Sequence, residues 1–71
     1  MNKRFGRMLV AIRHSLQMTQ PLFAESMFDT IDRIKKIELG YTRPDFEFLA
    51  RLRRYHGVSL DKLFDNLRKK A

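Results

Sequence analysis

The chain has 71 residues, enough for one small domain, and carries 15 Lys and Arg against eight Asp and Glu, a formal net charge of +7. It contains no Cys, which excludes a disulfide framework and a thiolate metal site. The longest apolar stretch, Met8–Ile12, is far shorter than the roughly 20 residues of a membrane span. The start of the chain shows no signal-peptide pattern. The basic excess favours a polyanionic partner; a positive surface that only keeps the protein dissolved is the alternative.

Apolar residues recur at helical spacing from the start of the chain. Phe5, Leu9, Ile12 and Leu16 form one stripe of a first helix, which Asn2 caps and which ends near Leu16. Alternation of apolar and polar residues over the length of a strand is lacking, and Val occurs only twice. The sequence therefore predicts an all-α fold.

A second, short helix begins after Thr19, whose hydroxyl can accept an N–H from the first turn. Met18 and Phe23 are spaced as a hydrophobic staple, and Pro21 lies in the first turn, where its missing N–H is harmless. The predicted inward residues are Phe23, Ala24 and Met27.

A third helix is predicted over about residues 30–39, capped by Asp29 or Thr30. Its inward residues are Ile34 and Ile37, and it ends at Gly40, which can adopt the left-handed conformation without steric penalty. A loop over residues 41–44 follows.

Asp45 caps a predicted fourth helix that ends at Gly57, and Ser59 caps a fifth. The inward residues of the fourth helix are predicted as Phe46, Leu49 and Leu52. The apolar stripe of the fifth is predicted as Leu60, Leu63, Phe64 and Leu67. We therefore expect a single compact five-helix domain over residues 1–71, with its core at about 3–67 and a frayed basic tail at 68–71.

These signals occur in an order and at intervals that cover about Phe5 to Phe64. The segments concerned are Leu9, Ile12 and Arg13; Met18-Thr19-Gln20; Phe23-Ala24; Ile34; Lys36-Ile37-Glu38; Gly40; Pro44; Leu49; and Gly57-Val58-Ser59-Leu60-Asp61. Together they resemble the phage-repressor-like helix-turn-helix domains, the Xre family, which includes the Cro proteins. The resemblance implies a lambda-repressor-like fold that binds double-stranded DNA with its third helix in the major groove.

Carried over position by position, the resemblance assigns roles to residues of this chain. It places Thr30, Ile31, Asp32, Arg33 and Lys36 toward the groove and Lys35 beside it. It implies phosphate contacts for Gln20 and Arg43, and a salt bridge between Arg13 and Glu38 that ties the first helix to the third. The residue types suit these roles, because Arg and Lys match phosphates and guanine acceptors and Ile31 offers apolar contact to a thymine methyl. A solvated helix face is the alternative for the three cations.

Three features depart from the family pattern. Phe28 and Asp29 stand where relatives usually have Gly and an apolar residue, so we expect a modified turn in which Phe28 fills the apolar socket and Asp29 caps the helix. Asp29 and Asp32 bring two carboxylates toward the groove; Asp32 either accepts from cytosine N4 or serves as a capping or salt-bridging residue. Surplus apolar residues are also predicted to face outward and suggest a contact surface, with local repacking as the alternative: Met8, Val10, Ala11, Leu22 and Phe48.

The expected function is that of a sequence-specific DNA-binding regulator, a repressor, acting as a cytoplasmic homodimer. The dimer interface is expected on the stripe of Leu60, Leu63, Phe64 and Leu67. The other candidate surface is Met8, Val10 and Phe48, through which a protein partner is the alternative occupant. The alternative function is a protein-interaction module on the same fold, an antitoxin-like or regulatory partner. An enzyme is disfavoured because His14 and His56 lack nucleophile or metal-ligand partners at suitable spacing. We expect no catalytic residue, metal, cofactor or membrane partner.

Overall fold

The computed structural model describes residues 2–59 and 61–62. This part of the chain is all-helical and contains no strand, which confirms the predicted fold class. Its four helices are α1, α2, α3 and α4, and their bounds are Asn2–Ser15, Gln20–Ser26, Ile31–Leu39 and Phe46–His56.

The predicted fifth helix falls largely outside the described residues. The Ser59 hydroxyl accepts a hydrogen bond from the Lys62 N–H at 3.3 Å, and residues 61–62 have helical backbone. Leu60, Leu63, Phe64 and Leu67, like the tail at 68–71, lie among the residues that are not described. The five-helix count therefore stays a prediction.

The helix ends follow from local side-chain chemistry. Thr19, Thr30 and Asp45 each accept a backbone N–H from three residues ahead, at 3.4, 3.2 and 2.8 Å. Gly40 and Gly57 close α3 and α4 in the left-handed conformation, with φ of 85° and 65°. These five predicted end signals are confirmed, Thr30 being the cap of α3, because each depends on interactions within one helical turn. Asn2, the predicted cap of the first helix, is instead the first residue of α1.

One apolar core lies where α1, α2, α3 and α4 meet. It is built mainly from the predicted inward faces, since helices with a single apolar stripe must bury it against one another. Its buried members are Phe5, Leu9, Phe23, Ala24, Met27, Ile34, Ile37, Phe48 and Leu52. Partly buried side chains pack around them: Met8, Ile12, Leu16, Met18, Leu49 and Val58.

Helices α1 and α3 approach each other closely at Gly6. A Cβ on Gly6 would collide with the carbonyl oxygen of Glu38 and would lie 2.7 Å from that of Ile37. Only glycine lets these two backbones come so near. This contact fixes how α1 lies against α3.

The start of α4 differs from the predicted pattern. Phe46, predicted to face inward, is 83% exposed, whereas Phe48, predicted to face outward, is 1% exposed. Phe46 and Phe48 each lie at helical spacing from Leu49 or Leu52, so periodicity alone did not decide which of the two faces the core. Packing decides it, because Phe48 and Leu52 are four residues apart on one face. The expected outward surface of Met8, Val10 and Phe48 is therefore wrong at Phe48, and Met8 packs against the core.

Candidate nucleic-acid interface

Helices α2 and α3 form a helix–turn–helix unit joined by residues 27–30. Met27 is fully buried, and the chain then reverses at Phe28, which has a left-handed φ of 55° and is 71% exposed. The expectation that Phe28 fills the apolar socket is therefore wrong. Because Met27 already occupies the core, its neighbour is turned out to solvent.

The outward face of α3 carries most of the predicted groove residues. Thr30 at the cap is exposed, as are the four side chains Ile31, Asp32, Lys35 and Lys36. Lys36 Nζ lies 3.1 Å from Asp32 Oδ2, and both side chains are more than half exposed. Such a solvated pair contributes little stability and can exchange partners readily.

Arg33 was predicted to face the groove, but its side chain contacts Asp45 and Asp29 instead. Its guanidinium lies 2.9 Å from Asp45 Oδ2, 3.4 Å from Asp29 Oδ2, and 5.9 Å from the centre of the Phe48 ring. It therefore ties α3 to the start of α4. The side chain of Asp29 is almost fully buried beside it, so the expectation that this carboxylate approaches the groove is wrong.

The N-terminal cap of α4 belongs to the same cluster. The N–H of Phe48, with the nearby Arg33 charge, holds the pKa of Asp45 below its ordinary value, although partial desolvation opposes this. The carboxylate thus stays ionised at neutral pH, where it serves both as a helix cap and as the partner of Arg33.

A buried polar network braces α3 against α1 and α2. Arg13 Nε and Nη2 donate to the two carboxylate oxygens of Glu38 at 2.7 and 3.2 Å, and Nη1 donates to the Met18 carbonyl at 3.0 Å. Gln20 Nε2 donates to Glu38 Oε1 at 2.9 Å. The Arg13 and Glu38 side chains are only 11% and 5% exposed. The pair implied by the resemblance is thus in contact, and Gln20 joins it.

Sequence reasoning missed a polar contact between α2 and α4. His56 Nε2 lies 2.8 Å from Ser26 Oγ, and its ring stacks on Phe23 with centroids 5.4 Å apart. Ser26 donates its hydroxyl hydrogen to the Phe23 carbonyl at 2.7 Å, so His56 Nε2 is the donor to Ser26. Burial lowers the pKa of His56 below its ordinary value. No spacing rule links positions 26 and 56.

Burial of the His56 ring gives stability a pH dependence. Because the pKa of His56 is lower when the chain is folded, the unfolded chain binds more protons just below the ordinary value of 6.5. The stability that the neutral His56 ring contributes is complete above pH 6.5 and is lost as the pH falls through the pKa of the folded state. We expect urea midpoints to fall between pH 7 and 5 more in the parent than in His56→Gln. Equal pH profiles for the two proteins would contradict this role.

Two kinds of feature are absent from the part of the chain that the structure describes. Within residues 2–59 and 61–62, no three His, Cys, Asp or Glu side chains are grouped as metal ligands. In the same part of the chain, no helix is long and apolar enough to cross a membrane.

Comparison with known proteins assigns the chain to no family. No protein-family profile, curated protein or solved structure matches the chain. The functional interpretation therefore rests on the α2–turn–α3 unit and the side chains that it presents.

Proposed function

We propose that the protein binds double-stranded DNA with α3 in the major groove. The observation that carries the proposal is the braced outward face of α3. Lys35, Lys36 and Ile31 project from a helix whose opposite face is core and whose Glu38 is fixed by Arg13. A recognition helix needs this combination of a rigid base and accessible polar and basic side chains.

The residues of the proposed interface make two kinds of contact, to base edges and to phosphates. Lys36 and Asp32 lie one turn apart and pair with each other, so base edges or phosphates would replace a weak surface contact. Ile31, exposed in the first turn, would meet a thymine methyl. Arg43, exposed in the loop after α3, would bind a phosphate, with Thr30 toward the groove and Lys35 beside it.

Two predicted roles change under this proposal. Arg33 acts as a positioning residue that holds α3 to the start of α4, because its guanidinium is engaged by Asp45. The Gln20 amide serves mainly to orient Glu38. Recognition of bases by the first turn of α3 therefore depends on few side chains. The Asp32 carboxylate also reduces the net attraction of this turn for phosphate.

The finer proposal is a phage-repressor-like regulator of five helices that represses transcription in the cytoplasm. One recognition helix contacts few base pairs, so we propose that two copies bind a palindromic site through half-sites about one helical turn apart. The dimer contact is proposed on the C-terminal stripe of Leu60, Leu63, Phe64 and Leu67, which lies outside the described residues. Titration of a palindromic duplex with the protein measures the affinity and also the number of chains bound per palindrome.

The direct test is binding to a random-sequence duplex pool, followed by selection of the preferred sites. Fluorescence anisotropy at two salt concentrations should show affinity falling steeply with salt, because bound cations displace counterions from DNA. A protein that binds no duplex at low salt would contradict the proposal and favour the protein-interaction alternative.

Two substitutions separate base contacts from phosphate contacts. Lys36→Ala should cost about 1–3 kcal/mol on the preferred site and relax specificity at one base pair. Arg43→Ala should weaken binding to all sequences alike and reduce the salt slope by about one. Arg53→Ala, an exposed cation on α4, is the matched control for net charge. Parent-like binding by both test variants would exclude this groove assignment.

A further inference from the structure

The turn between α2 and α3 contains Phe28, whose backbone conformation and solvent exposure are both unfavourable for an aromatic residue. Phe28 has a left-handed backbone, which L side chains adopt at a cost, and its ring is mostly in water. Glycine or asparagine would relieve both. Strained backbone of this kind concentrates at functional positions, where the side chain is needed for something other than folding.

Neighbouring side chains make Phe28 part of a defined surface. The Tyr55 ring lies 5.4 Å from the Phe28 ring at an angle of 54°, and the Arg54 guanidinium lies 6.0 Å from the centre of the Tyr55 ring. Arg51 Nη1 donates to the carbonyls of Met27 and Phe28 at 3.3 and 3.2 Å and holds the turn against α4. We call Phe28, Tyr55, Arg51 and Arg54 the Phe28 surface.

The Phe28 surface has the composition of a protein-binding site. Aromatic residues and Arg are enriched where proteins meet, whereas Lys, Asp and Glu are depleted. The chain has no acidic residue from 48 to 60, and the Glu47 carboxylate that approaches Arg51 does so only at 3.8 Å. The surface therefore offers two apolar rings beside cations that have little competition from carboxylates of their own helix.

We propose that the Phe28 surface docks an acidic peptide segment that carries an apolar side chain. The apolar side chain packs on the Phe28 and Tyr55 rings, and its flanking carboxylates pair with Arg54 and Arg51. A second copy of this chain is a poor occupant of this surface, because a symmetric contact here would bring Arg51 and Arg54 of the two copies together. A DNA duplex matches the cations through its phosphates, but its bases are stacked on one another and do not cover the two exposed rings. This proposal is independent of DNA binding by α3.

The test uses the full chain and a short synthetic peptide of Glu and Asp with a central Leu-Trp pair. Titration by fluorescence anisotropy, with no DNA present, should give saturable binding. Phe28→Gly and Arg54→Glu should each weaken it on the order of tenfold, as truncation of an interface hot spot does. Because Phe28→Gly relieves the left-handed turn, its folded state should be retained, which circular dichroism checks.

Matched controls separate docking from general charge attraction. Lys35→Glu changes the net charge as much as Arg54→Glu but lies on α3, and it should leave peptide affinity nearly unchanged. A peptide with Ser in place of Leu and Trp should bind much more weakly. Equal losses for the two charge reversals, equal binding of the two peptides, or no peptide binding would each overturn the proposal. A Phe28→Gly variant that loses duplex DNA affinity instead would assign the surface to nucleic acid and overturn it as well.

Discussion

Arg13→Ala is expected to lower the free energy of unfolding by about 3–5 kcal/mol, because it leaves the buried Glu38 carboxylate without its charged partner. The Gln20 amide still donates to Glu38, but a neutral donor does not compensate a buried charge. The Met18 carbonyl also loses a donor. Urea denaturation monitored by circular dichroism measures the effect, which is a large fraction of the stability of a small domain.

A double-mutant cycle tests whether the pair acts as a unit. Arg13→Ala with Glu38→Gln should be clearly more stable than Arg13→Ala alone, because no buried carboxylate then remains unpaired. Asp32→Ala is the matched control, since its partnership with Lys36 is exposed and should change stability by less than about 1 kcal/mol. Near-zero effects of both single changes at Arg13 and Glu38 would show that the buried pair does not form.

Gly6→Ala is expected to destabilise the domain by about 1–3 kcal/mol or more, although Ala is the better helix former. In an isolated helix the change would add about 0.5–1 kcal/mol of stability. Here the new methyl group meets the carbonyl oxygens of Glu38 and Ile37. Those atoms are backbone and cannot rotate away, so α1 must separate from α3 and its packing is lost.

Gly57→Ala is the control for Gly6→Ala. Gly57 is left-handed, but a Cβ at this position would meet no heavy atom within 4 Å, so only backbone strain of about 1–2 kcal/mol applies. Thermal unfolding measures both losses of stability. Near-ultraviolet circular dichroism, which reports the packing of all the aromatic side chains together, should change in Gly6→Ala, where α1 and its buried Phe5 shift, and should stay parent-like in Gly57→Ala. A Gly6→Ala protein more stable than the parent would show that α1 and α3 lie farther apart than the Gly6 contact requires.

The sequence by itself determined the features that depend on residues close together in the chain. Thr19, Thr30 and Asp45 begin helices, and Gly40 and Gly57 end them, because each satisfies backbone groups within one turn. Helical periodicity likewise placed most of the core. The pairing of Arg13 with Glu38 was implied by family resemblance, since nothing in their spacing of 25 residues indicates contact.

Only the tertiary structure decided the features that depend on which helices meet. The first turn of α4 buries Phe48 and exposes Phe46 because of what packs against it, and both patterns fit one helix. Arg33 lies against Asp45 because α3 ends its first turn beside the cap of α4, a contact between separate elements. Gly6 is required by a crossing that its neighbours in the chain do not specify. Side-chain direction and close approach depend on neighbours distant in the chain, and local spacing does not encode them.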